Sequence, residues 1–95
     1  MAAKSTSVKT LDIDGLTVNI DTEICQGWTA YRLMCQFADK EQITAQTLPL
    51  IVEFVELVSD VDEAAIVEHC GGVKASMQDV MAVMSHIIQE AAPKN

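Results

Sequence analysis

The stretch LPLIVEFVELV, Leu48 to Val58, limits what this chain can fold into more than any other. Only Glu53 and Glu56 interrupt its large apolar side chains. Placed on a helix at about 100° per residue, the apolar positions cover an arc of roughly 220°, and the two glutamates share the remaining face. A helix lying on a surface has a narrower stripe, so this one is expected to be packed on two sides, as the central helix of a small bundle. A strand is the weaker alternative. The run contains β-branched residues, but it is long, carries Pro49 near its start and follows a period of 3.6 rather than 2. Thr47 is the expected N-cap, and Pro49 falls in the first turn, where its missing N–H costs nothing.

The rest of the chain supplies the neighbours. Val8 to Ile20 reads as two strands joined by Asp14-Gly15, a pair suited to a type I′ turn. That turn sets a register with Ile13 opposite Leu16, Leu11 opposite Val18 and Lys9 opposite Ile20 on one face. Asp12 with Thr17 and Thr10 with Asn19 then fall on the other, so one face is apolar and one polar. Two strands alone are marginal, so helices must support them. Asp21 or Thr22 caps the next helix, from about Thr22 to Asp39. Its stripe is Ile24, Trp28, Tyr31, Cys35 and Ala38, widened by Met34 and Phe37. Gly27 weakens its first part by about 1 kcal/mol relative to Ala, and a restart at Trp28 or Thr29 is the alternative. A polar connection, 40–46, leads to the central helix. Asp60 or Asp62 starts a short helix, Glu63 to Cys70, which Gly71-Gly72 ends. Ser76 and Asp79 form a capping-box-like start to a last helix over 77–92, with Met77, Val80, Met81, Met84, Ile87, Ile88 and Ala91 on one face. The expected fold is mainly α: a bundle of about four helices with an N-terminal β-hairpin over 8–20. One domain spans 8–92, between a disordered tail, 1–7, and a short tail, 93–95.

Composition bounds function. Ninety-five residues with 49% apolar content carry more apolar surface than one small core hides, which favours self-association or a partner groove. The net charge of −8 argues against nucleic acid and against anionic membrane surfaces. No apolar run is long enough to span a bilayer, and MAAKSTS lacks the apolar core of a secretory signal. Three cysteines, Cys25, Cys35 and Cys70, form no paired framework and fit a reducing compartment, so a cytoplasmic location is expected.

No motif carries catalytic chemistry. His69 and Cys70 are neighbours, but neighbours on a helix point about 100° apart and do not pair, and nothing in the sequence brings His86 to them. Zinc ligation by the cysteines and a histidine lacks any Cys-x-x-Cys pair. The segment from Gly71 to Ser76 resembles a phosphate loop only superficially. No cofactor or metal is expected, and no enzymatic activity. Met77, Met81 and Met84 are core residues first and an adaptable docking surface second, because methionine repacks around varied partners. Trp28 and Tyr31 stand in the same position: core first, contact anchors otherwise.

The order of elements carries a resemblance. A short hairpin, Leu11 to Val18, precedes an aromatic-bearing helix from Trp28, a hydrophobic helix, a short acidic-capped helix and a closing helix. In layout, size and acidity the chain resembles the tail assembly chaperones of long-tailed bacteriophages and prophages over most of residues 8–92. The likeness is one of architecture and pattern. It implies a non-enzymatic protein of the bacterial host cytoplasm, acting during virion tail assembly. Such chaperones coat the long apolar tape measure protein, often as multimers, and are displaced as tail tube subunits polymerise. No catalytic residue or cofactor comes with it. Expected partners are therefore a tape measure or tail tube protein and further copies of this chain, with no nucleic acid and no membrane. Contact through Met77, Met81 and Met84, or through Trp28 and Tyr31, suits helix-in-groove docking. The alternatives are a small acidic adaptor binding a cellular protein in a salt-sensitive way and an acyl-carrier-like domain. The latter lacks an Asp-Ser-Leu attachment site. A small enzyme ranks last.

Overall fold

The computed structural model describes residues 8–38 and 44–92. The tails 1–7 and 93–95, the expected helix end at Asp39 and most of the polar connection lie outside them. The elements are β1 (Val8–Ile13), β2 (Leu16–Asp21), α1 (Thr22–Cys25), α2 (Trp28–Cys35), α3 (Leu48–Val58), α4 (Glu63–His69) and α5 (Met77–Ala91), with one turn of 3₁₀ helix at Gly72–Lys74. The architecture is a small, mainly helical bundle with an N-terminal antiparallel hairpin.

The hairpin has the register expected from its turn, Ile13 opposite Leu16 through to Val8 opposite Asp21. Asp14 and Gly15 both take positive φ, 52° and 92°, and Asp12 Oδ1 accepts the Gly15 N–H at 2.9 Å. Ile13, Val18 and Ile20 are buried, with Leu11 and Leu16 packed beside them, so the apolar face lies on the helices. The outer edge of β2 is closed by the α3–α4 link. Ile20 bridges to Ser59, the Asp60 N–H donates to the Asn19 carbonyl at 3.0 Å, and Asn19 donates its N–H and its amide to the Asp60 carboxylate at 2.9 and 2.8 Å.

Helix α3 is the interior rod. Ile51, Phe54, Val55 and Val58 are buried, Glu53 and Glu56 face water, and α1, α2 and α5 all pack against it. Phe54 meets Phe37 edge to face with ring centroids 5.6 Å apart, a favoured aromatic geometry. Its start differs from expectation. Thr47 is helical and makes no side-chain cap to α3. Instead Thr44 and Thr47 cap reciprocally one turn earlier. Thr44 Oγ1 accepts the N–H of Gln46 and of Thr47, at 3.1 and 3.2 Å, and Thr47 Oγ1 accepts the Thr44 N–H at 2.9 Å. Pro49 sits in the first turn as expected. Asp21, Asp62 and Ser76 cap α1, α4 and α5 through their side chains.

The expected helix over 22–39 is split. Gln26 ends α1, and Gly27, extended, begins α2. The stripe expected to be core is on the wrong side. Ile24, Trp28, Tyr31, Cys35 and Ala38 are all exposed, whereas Ala30, Leu33 and Phe37 are buried; of the two residues expected to widen the stripe, Phe37 is core and Met34 packs half-buried against it. Within α2 these two sets lie roughly 180° apart. The break at Gly27 removes the phase relation that joined Ile24 to Trp28. Once it is removed, the smaller, purely aliphatic or phenyl face packs against α3, and the two rings bearing polar atoms stay in water.

Candidate docking groove

Beside α3 a depression of about 420 Å³ is lined by Leu48 and Val52 of α3, Val67 of α4, Val73 of the 3₁₀ turn, and Met77, Val80 and Met81 of α5, with Met84 at its floor. Local sequence builds it. Leu48 and Val52 sit at one margin of the α3 arc, Leu48 exposed and Val52 only partly buried against the core. Gly71 and Gly72, at φ 124° and 67°, end α4 and reverse the chain. The 3₁₀ turn closes with the Ala75 N–H on the Gly72 carbonyl at 3.0 Å, and Ser76 then accepts the Asp79 N–H at 3.0 Å to start α5. This tight sequence of turns leaves Val73 wholly in solvent and Met77 79% exposed. Isolated exposed apolar residues are ordinary; here several converge on one concave surface.

The three methionines do not act alike. Met84 is 1% exposed and belongs to the core, so it is withdrawn as a surface anchor. Met81 is half-buried and Met77 is exposed. Met77 and Met84 are two helical turns apart and share a direction, but Met77 lies in the first turn of α5, where the side chains of α3 no longer cover it.

A second depression continues the first, sharing Leu48, Val52 and Glu63 with it and adding Pro49, Glu53 and Glu56. Its rim is acidic. Glu56 Oε2 accepts the Glu63 N–H at 2.9 Å, and Asp62 Oδ1 accepts the Ala65 N–H at 2.9 Å, so two carboxylates serve the N-terminus of α4. That placement complements the helix dipole.

Trp28 and Tyr31 lie elsewhere. Their rings are 6.3 Å apart, and Trp28 borders a shallow hollow with Arg32, Leu50 and Glu53. The structure brings neither aromatic into the methionine groove. Sequence reasoning also missed a polar cleft where His69, Cys70, Asp79 and His86 come together with Asp14 of the hairpin turn. Only the docking of the hairpin on α4 and α5 creates it, and no local spacing signals it. His69 Nε2 is 3.0 Å from the Asp14 carbonyl oxygen, so this ring ties the hairpin turn to α4. Among the described residues no group of side chains is arranged to hold a metal ion. No described helix is long and apolar enough to cross a membrane.

No family model, curated protein or solved structure matches this chain.

The electrostatics divide the molecule. The Asp60 carboxyl, which partial burial pushes up, is carried below its ordinary value by the Asn19 hydrogen bonds. The Cys25 thiol is raised by burial first and by the Asp21 carboxylate second. Both shifted groups belong to the packing of the hairpin and α1, and neither lines the groove.

Proposed function

We propose that this chain is a non-enzymatic assembly chaperone that shelters an apolar helix of a protein partner, as phage tail assembly chaperones shelter the tape measure protein. The observation that carries the reading is the groove between α3, α4 and α5, with its exposed Leu48, Val73 and Met77 on an acidic body. Along α3 the two depressions run from Leu48 to Glu56, about 12 Å, which suits about two turns of a partner helix. Methionine and valine side chains provide an adaptable apolar wall without demanding one sequence. A net charge of −8 keeps such a wall in solution and repels phosphate backbones and anionic lipid.

Co-expression with an apolar helical segment of a tape measure protein tests this. The chain keeps the segment in the soluble fraction and co-purifies with it. The double variant Val73→Glu, Met77→Glu, altered only at exposed positions, retains its circular dichroism melt and loses the segment. Equal recovery of the segment with the double variant refutes the reading. Sedimentation of the complex then reports how many copies cover one segment.

A further inference from the structure

We propose that the helix taken by this groove carries lysine or arginine along one flank of its apolar stripe, an inference that rests on the docking role proposed above. The apolar wall is bordered on one side by three carboxylates. Glu53 and Glu56 share a face of α3, and Glu63 opens α4 between the two halves of the groove. No lysine or arginine lines either half among the described residues. Among the described residues Glu53 and Glu63 form no ion pair, and Glu56 spends one oxygen on the Glu63 N–H. Three carboxylates on one rim repel one another, and Arg32 borders only Glu53, from the hollow on its far side. A partner that brings cations to this rim relieves that repulsion while its apolar stripe covers Val52 and Met77. A partner with glutamates in the same place meets like charges directly. The rim therefore selects among apolar helices that the wall alone does not distinguish.

The test uses three labelled helical peptides with one identical apolar stripe and flanks of lysine, glutamine or glutamate, titrated by fluorescence anisotropy. The lysine peptide binds about tenfold more tightly than the glutamine peptide at low salt, and the glutamate peptide binds least. In ~0.5 M salt the three converge. The variant Glu53→Gln, Glu63→Gln lowers affinity for the lysine peptide to that of the glutamine peptide and leaves the latter unchanged. If no peptide binds, the docking role itself falls. If all three bind wild type equally and are lost with Val73→Glu, Met77→Glu, the groove stands and the charge preference is overturned. A lysine preference undiminished in Glu53→Gln, Glu63→Gln belongs to overall charge and overturns it equally.

Discussion

Two truncations on opposite margins of α3 separate its core face from its groove face. Phe54 is fully buried and packs edge to face on Phe37, whereas Leu48 is 40% exposed. Phe54→Ala removes a whole ring from a site enclosed by α1, α2 and α5, at a cost of about 3–5 kcal/mol. A chain of this length has a total stability of about 5–14 kcal/mol, so this one change consumes a large share of it. Leu48→Ala leaves little cavity and gains some helix propensity, so its cost is at most about 1 kcal/mol. Urea unfolding followed by circular dichroism reads both, with the m-value unchanged if the transition stays two-state. A double-mutant cycle of Phe37→Leu with Phe54→Leu adds a coupling of about 0.5–1.5 kcal/mol from the ring pair. Equal costs for Phe54→Ala and Leu48→Ala, or a Phe54→Ala cost under about 1.5 kcal/mol, would refute α3 as the interior rod.

Gly15→Ala places a side chain at φ 92° and costs about 1–2 kcal/mol in urea unfolding. The added Cβ meets His69 only at ordinary contact distance, so the cost is backbone strain. Asp60→Asn tests the acid limb of stability. The folded carboxyl titrates below its ordinary value of 3.8, so its contribution is complete above that pH and is lost as pH falls through the folded value. Wild type therefore exceeds Asp60→Asn in stability at pH 6, and the gap closes in acid; a constant gap across the titration contradicts the Asn19 assignment. Thiol labelling with Ellman's reagent modifies exposed Cys35 first and Cys25 only on unfolding, because burial both shields the Cys25 thiol and raises its pKa. Rapid labelling of Cys25 in the native state would show that α1 is loosely packed.

The sequence was most readable where a few residues specify geometry without outside help. Asp14-Gly15 determines its own turn and hence every pair of the hairpin. Asp62 and Ser76 cap their helices because each has a free donor within reach, whatever lies beyond. It was least readable where two answers differ only in what packs outside the segment. Helix α2 has apolar residues on both faces, and α3 covers the one bearing Ala30 and Leu33. Trp28 and Tyr31 have the stronger hydrophobic signature by size, yet bulk alone does not choose a face. Thr44 escaped notice as a cap because Thr47 stands closer to the apolar run. Helical spacing puts Met77, Met81 and Met84 on one face of α5 without separating exposed Met77 and half-buried Met81 from buried Met84. Where α5 passes out from under α3 is a tertiary fact, and so is the acidic border, since Glu63 reaches Glu53 and Glu56 only across the α3–α4 turn.

Among the described residues, side-chain polar contacts tie the hairpin to the bundle at three places, and each anchor comes from far along the chain. Asn19 waits for Asp60, Asp14 for His69, and Lys9 for Glu90, separations of 41, 55 and 81 residues. A ribosome adding about 5–20 residues per second makes β2 and the end of α5 several seconds apart. Early in that interval the strands precede every one of these partners, and Leu11, Ile13, Val18 and Ile20 lack the helices that later cover them. A protein proposed to shelter another's greasy helix thus leaves the apolar face of its own hairpin for the rest of the chain to cover.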